Sequence, residues 1–377
     1  MKPGPRFYLD VTSACQSALN TGVKRMQRGL HAWLKQFSNC TPVYWQSVRR
    51  DYRTLGAQDE ACLELTDSRE LRGFDLYDAP FLSAFISDGR RFWSDRPQLL
   101  GWPEKLQQGD VVFVPDLLWD NRSGFFQHMK KCQAKRIGVF HDAIGLRRPE
   151  QSQIDRILCA RGVRALSNFD LVLCISHEAE ADLKYFWKKF GLPAAPTQIA
   201  PWPVPFVGNR PEHAANFSAR SVLYVARLEA HKNHLRLLDA CEMLWAKGVV
   251  FKLRLIGCNS YPSYSRQVSQ RVDELRKKGR DVELRAHVSE QELHDAYRDC
   301  SFTVFPSLLE GFGLPIIESL WHGRPVICSA TGAIGEVAAG GGCEAINPQQ
   351  TEDMARAMES LLTNKEHYQN LDRKSVV

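Results

Sequence analysis

Six short apolar, β-prone runs recur through the second half of the chain, near residues 221–228, 251–258, 282–288, 301–307, 325–330 and 343–347. Between them lie stretches whose apolar residues fall at helical spacing. This alternation predicts a parallel sheet with helices packed on its faces. The helix after Val288 is the best marked. Ser289 and Glu292 make a capping box, and Leu293, Ala296, Tyr297 and Cys300 recur at i, i+3, i+4 and i+7. The first half carries the same rhythm. Arg6 to Val11 reads as a strand, and a polar loop ending Asn20-Thr21-Gly22 opens an amphipathic stretch through Phe37. A buried-type strand from Lys135 ends in His141-Asp142, and a further strand from Phe169 leads to Ser176, which caps the next helix.

The two halves meet in a segment that breaks both rhythms. Pro201 to Phe217 holds four prolines, which prevent continuous secondary structure. A chain of 377 residues also exceeds what one hydrophobic core usually organises. Two α/β domains are therefore expected, over residues 1–205 and 218–377. Residues Arg49 to Gln108 are mixed in charge, rich in aromatics and without a motif, and are expected to be an insertion shaping the acceptor side of the molecule.

Composition narrows the class without naming an activity. With 44% hydrophobic and 24% charged residues the chain is an ordinary globular protein. It has no signal-peptide pattern and no apolar run of about twenty residues, so a cytoplasmic, non-spanning protein is expected. The eleven cysteines include no Cys-x2-Cys pair, and Cys174, Cys258 and Cys328 sit in apolar strand-like runs, which reads as reduced core cysteine. The net charge of +6 is modest and not concentrated in one block, which argues against nucleic acid as a partner. Basic-aromatic stretches at Lys24 to Lys35 and Lys184 to Phe190 are candidates for peripheral contact with an anionic membrane at its inner face. Taken singly, each is better explained as a solvated amphipathic helix.

The most informative stretch is Pro306-Ser-Leu-Leu-Glu-Gly-Phe-Gly-Leu-Pro-Ile-Ile-Glu-Ser-Leu-Trp-His-Gly-Arg-Pro325. A strand-like run ends at Ser307, and Leu314 to His322 has helical spacing, with Pro315 suited to the first turn. Glu310 to Gly313 is then a strand-to-helix loop, and in an open parallel sheet such loops line the crevice where ligands bind. Gly311 and Gly313 permit close approach of backbone to ligand, and amides at the helix start favour a phosphate. Two carboxylates beside a phosphate make sense only as acceptors from neutral hydroxyls. A sugar and a ribose supply those.

This segment resembles the signature of family 4 glycosyltransferases, retaining enzymes of the GT-B fold, in which two Rossmann-like parallel-sheet domains face a central cleft. The resemblance implies that Glu310 contacts the donor sugar, that Glu318 binds the ribose, and that the backbone of Gly311, Phe312, Gly313 and Leu314 cradles the phosphates. A second stretch, Val222-Leu-Tyr-Val-Ala-Arg-Leu-Glu-Ala-His-Lys-Asn-His-Leu, is similar to the family's Gly-Arg-Leu-x3-Lys-Gly element. It implies diphosphate contacts from Arg227 and Lys232. Ala226 and Asn233 stand where the family commonly has glycine. By the same resemblance Val288 packs on the nucleotide base, with His287 beside it, Gly22 lies against the donor phosphates from the first domain, and His141 contacts the donor sugar. The His-Asp pair is similar to that of bacterial polysaccharide mannosyltransferases. Family members usually continue into an aromatic-bearing helix beyond the point where this chain ends, and whether it is truncated or shorter by nature stays open.

Breaking a glycosyl–phosphate bond concentrates negative charge on the departing diphosphate, so fixed cations stabilise the transition state more than the ground state. Many glycosyltransferases use a metal held by Asp-x-Asp for this, and no Asp-x-Asp occurs in the sequence. The expectation is a metal-independent retaining hexosyltransferase with no cofactor. Its donor is a nucleotide-diphosphate sugar, with GDP-mannose preferred, and its acceptor a glycan or lipid-linked glycan in surface polysaccharide biosynthesis. A GT-B nucleotide-sugar epimerase and a catalytically silent sugar-nucleotide binding protein remain as alternatives.

Overall fold

The computed structural model describes residues 5–15, 22–36, 40–47, 49–64, 98–102, 105–116, 122, 125–126, 129, 134–148, 152–202, 216–259, 261–286 and 288–374. Thr21, His287, most of the proline-rich segment (203–215), the middle of the aromatic-rich stretch (65–97) and residues 375–377 lie outside them. The chain divides into two compact units, Met1–Pro205 and Phe206–Val377.

In the first unit, β1 (Phe7–Asp10), β2 (Cys40–Gln46), β3 (Asp51–Arg53), β4 (Val111–Val114), β5 (Lys135–Phe140), β6 (Leu171–Cys174) and β7 (Thr197–Ile199) form one sheet. Its order is β3-β2-β1-β4-β5-β6-β7. All neighbours are parallel except β2 and β3. That antiparallel edge departs from the wholly parallel sheet expected. It is held from the far end of the aromatic-rich stretch, where Leu100 N–H donates to Tyr52 O at 2.8 Å and Asp51 accepts from the amides of Gly101 and Trp102 at 2.7 and 3.0 Å. The expected helix through Phe37 ends earlier, spanning Gly22–Leu34.

In the second unit, β8 (Ser221–Val225), β9 (Lys252–Ile256), β10 (Val282–Arg285), β11 (Phe302–Phe305), β12 (Val326–Ser329) and β13 (Cys343–Ile346) lie in the order β10-β9-β8-β11-β12-β13, parallel throughout. All six anticipated strands are present, each shorter than its apolar run. β11 and β12 are buried at every position, as strands covered on both faces must be. The helix His234–Ala246 buries Leu237, Leu238, Ala240, Cys241, Leu244 and Trp245, one continuous stripe against the sheet. Ser289 and Glu292 do form the capping box. Of the strand cysteines, Cys174 and Cys328 are buried in their strands, whereas Cys258 falls two residues beyond β9 and is half-exposed. Burial pushes the Cys174 and Cys300 thiols up to about 12, which keeps them protonated.

Both sheets reverse their direction of winding once. The chain lays β8, β9 and β10 outward on one side and then returns to place β11 against β8; in the first unit the reversal falls between β1 and β4. In an open α/β sheet, the loops leaving the carboxyl ends of the strands at such a reversal cannot fold over each other, and a crevice opens there.

One glycine beside this point is required by contact rather than by dihedral angle. A Cβ on Gly257, just past β9, would lie 1.8 Å from Ala226 O and 2.5 Å from its carbonyl carbon. Only hydrogen fits there, so Gly257 fixes how closely the start of the 226–229 loop lies against β9. Gly257→Ala is expected to cost about 2 kcal/mol or more in urea unfolding, because two backbones must move apart. Stability within about 0.5 kcal/mol of wild type would show that the approach is not tight.

Candidate functional site

The loops that follow β8 and β11 leave neighbouring strands at the reversal of the second sheet, and they are bonded directly to each other. Leu308 N–H donates to His231 O at 2.8 Å, and the Asn233 side-chain amide donates to Pro306 O at 3.2 Å and to Pro348 O at 2.7 Å. Lys232 Nζ meets Glu310 Oε1 at 2.6 Å, with both side chains largely buried. From below, Tyr224 on β8 donates its hydroxyl to Lys232 O at 2.6 Å and lies 3.5 Å from the Ser307 hydroxyl. Burial raises the Tyr224 pKa well above its ordinary value, so the hydroxyl stays a donor. Ser329 on β12 donates to Ser307 O at 2.5 Å. Lys232 and Glu310, 78 residues apart in sequence, are thus brought together as one ion pair on a braced frame.

Asn233 explains a departure noted in the sequence. It adopts φ +64°, ψ +31°, the left-handed region that glycine favours and asparagine tolerates better than other residues. The asparagine keeps the conformation and adds a side chain that ties the two loops.

Arg227 sits half-exposed two residues past β8, with Nη1 3.1 Å from Glu229 Oε1. Glu229 is buried, and its second oxygen lies 3.5 Å from His231 Nδ1. This carboxylate orients the guanidinium and was not singled out in the sequence; its nearness to Arg227 in the motif was the available signal. His234, the first residue of the next helix, is fully enclosed, with its ring beside Tyr224 at 4.8 Å and hydrogen-bonded to the Ala226 carbonyl. It therefore holds the same peptide that Gly257 presses against.

Gly311, Phe312 and Gly313 connect β11 to the helix Leu314–Trp321, with Gly313 at φ +114° as its cap and no side-chain cap bond. Pro315 lies in the first turn, as expected. One amide of that turn is engaged within the turn itself, Ile316 N–H donating to Gly313 O at 3.0 Å. Glu318 is buried, and its Oε2 accepts the Tyr297 hydroxyl at 2.8 Å. Tyr297 lies in the last turn of the helix Glu290–Asp299. Val288, two residues before that helix, packs against the small cluster containing Tyr297, Ala296, Cys300, Leu223 and Ile256. The residues expected at base and ribose therefore share a neighbour that sequence reading treated only as core.

In the first unit, His141 follows β5 directly and is buried. The Trp202 indole N–H donates to its Nδ1 at 3.2 Å, which leaves the ring proton on Nε2, 2.7 Å from Pro115 O just past β4. Both ring nitrogens are thus engaged within the unit. Asp142 accepts from Ile144 N–H at 2.9 Å in a local turn, and Ser176 accepts from Ala179 N–H at 3.1 Å as the cap of its helix. Gly22 is the first residue of its helix. At the reversal of this sheet the buried Asp10 accepts from Thr12 Oγ1 at 2.6 Å and from Tyr52 Oη at 2.7 Å, and pairs with Arg122. On the helix His177–Lys189, Lys184, Tyr185, Lys188 and Lys189 are exposed, while Phe186 and Trp187 belong to the core. Among the described residues, no helix is long and apolar enough to cross a membrane.

Comparison with known proteins assigns the class. Residues 209–375, nearly the whole of the second unit, match the family described as Glycosyl transferases group 1. The chain is homologous to two mannosyltransferases of Escherichia coli. It is 25% identical over 350 residues to the serotype-specific mannosyltransferase WbdA, covering 85% of this chain and 37% of WbdA. It is 31% identical over 116 residues to the O-antigen chain mannosyltransferase B, covering 30% of each chain. The match thus spans 37% of the length of WbdA and 30% of that of the O-antigen chain mannosyltransferase B. Among solved structures, sucrose-phosphate synthase from Thermosynechococcus elongatus superposes with a TM-score of 0.64 at 17% identity, over 98% of this chain and 93% of that one. Anabaena HepE in complex with UDP and glucose gives 0.60 at 14% identity, over 99% and 94%. At such identities the likeness concerns the fold, which is of the GT-B class.

The enclosed His234 makes the frame pH-sensitive. Burial first, and then the Lys232 charge, lower its pKa from 6.5 to about 3. Between those values the unfolded chain takes up a proton that the folded chain refuses. Stability therefore falls as pH drops below 6.5, by up to ~1.4 kcal/mol per unit for this residue. The difference in unfolding free energy between wild type and His234→Phe, followed from pH 7 to 4, should shift steadily in favour of the variant. A constant difference would mean that His234 does not titrate in this way.

Proposed function

We propose that this protein is a retaining, metal-independent glycosyltransferase. It would transfer a hexose, with mannose from GDP-mannose as the donor, to a glycan or lipid-linked glycan in surface polysaccharide assembly. The observation that carries the reading is the bonding of the Arg227–Lys232 loop to the Glu310–Gly313 loop at the point where the second sheet reverses. A diphosphate set there would meet the Lys232 ammonium, the Arg227 guanidinium and the start of the helix Leu314–Trp321. The preference for mannose rests on the likeness to WbdA and the O-antigen chain mannosyltransferase B. The finding of UDP and glucose in HepE suits a nucleotide-sugar ligand in this fold class.

In this reading each group has a distinct task. Lys232 has three donor positions, so it can hold Glu310 and a phosphate oxygen together. Its charge counts most as the bond to the sugar breaks and the diphosphate takes up negative charge. Arg227, steered by Glu229, acts on the same leaving group. Glu310 orients the sugar through its hydroxyls, Gly311 to Leu314 offer main-chain donors to the phosphates, and Glu318 with Val288 receives the nucleoside. Gly22 and His141 are the first unit's candidates for donor contact by the family resemblance alone. With both nitrogens already bonded, His141 acts through a fixed ring and the Pro115 and Trp202 groups it holds. Exposed Lys184, Lys188 and Lys189 would favour an anionic membrane bearing a lipid-linked acceptor.

A thermal-shift screen of nucleotide sugars tests the donor, since a ligand bound only by the folded chain raises its melting temperature. GDP-mannose should give the largest shift. Acceptor-dependent GDP release should persist in EDTA and fall ~10²–10³-fold in Lys232→Ala. No shift with any nucleotide sugar would contradict the reading, and donor consumption without an acceptor would point to an epimerase instead.

A further inference from the structure

The last turn of the helix Glu290–Asp299 carries a residue, Tyr297, that bears on the nucleoside side of the site in two ways. The Tyr297 ring lies in the small cluster that Val288 packs against. Its hydroxyl donates to Glu318 Oε2 at 2.8 Å, with both residues buried. The tyrosine is itself fixed on three sides. His322 stacks on its ring with centroids 5.2 Å apart and planes 4° from parallel. His322 in turn meets His294 of the same helix, Nε2 to Nδ1 at 3.1 Å. The buried Arg324 donates from Nε to Tyr297 O at 3.1 Å and from Nη2 to Arg298 O at 2.6 Å, clamping the helix end where its last carbonyls would otherwise want partners. The clamp holds the backbone that carries Tyr297, and the His322 stack and the Glu318 bond hold its ring and hydroxyl.

We infer that Tyr297 is a positioning residue for nucleotide recognition. Its hydroxyl sets the plane of the Glu318 carboxylate so that the carboxylate accepts from the ribose hydroxyls, while its ring fixes the wall on which Val288 meets the base. This rests on the proposed function above, in which Glu318 receives a ribose. A carboxylate offers about four lone-pair directions, so accepting from Tyr297 and from a sugar are compatible. The inference also accounts for a buried tyrosine whose hydroxyl points at an acid on the next helix instead of at solvent.

The test compares ribose-bearing and ribose-stripped ligands on the full chain. Calorimetric Kd values are measured for GDP and UDP and for their 2′,3′-dideoxy forms, with wild type, Tyr297→Phe, Glu318→Ala and the double variant. Wild type should prefer the ribo form. Tyr297→Phe keeps the ring and loses the hydroxyl, and it should cut that preference about 5–10-fold while leaving the dideoxy Kd within about 2-fold. Adding Tyr297→Phe to Glu318→Ala should change nothing further. Undiminished preference in Tyr297→Phe overturns the inference, and so does equal weakening of both ligand forms, which is the mark of a merely structural tyrosine. Should Tyr297→Phe fail to fold, Tyr297→Leu likewise removes the donor to Glu318, and an unchanged ribo preference there overturns the inference equally. A wild type that binds neither nucleotide removes the proposed function as well. A wild type that binds and discriminates beside an unaffected Tyr297→Phe removes only this inference.

Discussion

The second unit depends on two loops being tied to each other at the point where its sheet reverses. Strand topology brings the ends of β8 and β11 side by side, but topology alone leaves loops free to diverge. The main-chain bond from Leu308 to His231, the Asn233 amide on Pro306 and Pro348, and the Tyr224 hydroxyl on Lys232 O remove that freedom. The Lys232–Glu310 pair then forms on a frame whose backbone is already placed. This ordering matters energetically, because a largely buried ion pair repays its loss of hydration only when its geometry is good and other groups hold it.

The same frame gives the site its electrostatic character. Cations at Arg227 and Lys232 are each matched by a carboxylate, Glu229 and Glu310, so the two loops do not present a bare positive patch. Paired charges in fixed positions need little reorganisation when an anion arrives, which is the condition under which dipoles and charges lower a transition state. The residues beneath, Gly257 against Ala226 and His234 bonded to its carbonyl, set the height of the Arg227 loop over β9.

Much of this was legible in the sequence, for identifiable reasons. The six strands of the second unit show because parallel strands buried on both faces read as unbroken apolar runs, and the capping box at Ser289 and Glu292 names its helix start outright. The approach of Lys232 to Glu310 was implied by motif resemblance and by strand-end position. What stayed hidden is what depends on pairs distant in sequence. Tyr297 has an ordinary core spacing, and nothing in its own helix announces a hydroxyl directed at Glu318. Gly257 looks like a strand terminus until the Ala226 carbonyl is placed beside it. The antiparallel β3 has three residues, too few to show a period. Phe186 and Trp187 read as part of a basic-aromatic surface, but their side of the helix faces the core.

The most direct measurement of the central claim is a crystal structure of the chain with GDP bound. In that structure the β-phosphate should lie within hydrogen-bond distance of Lys232 Nζ and of main-chain amides in residues 311–314, with Arg227 on the same diphosphate. A diphosphate lodged elsewhere, with the Lys232–Glu310 pair and the 311–314 turn untouched by it, would contradict the account.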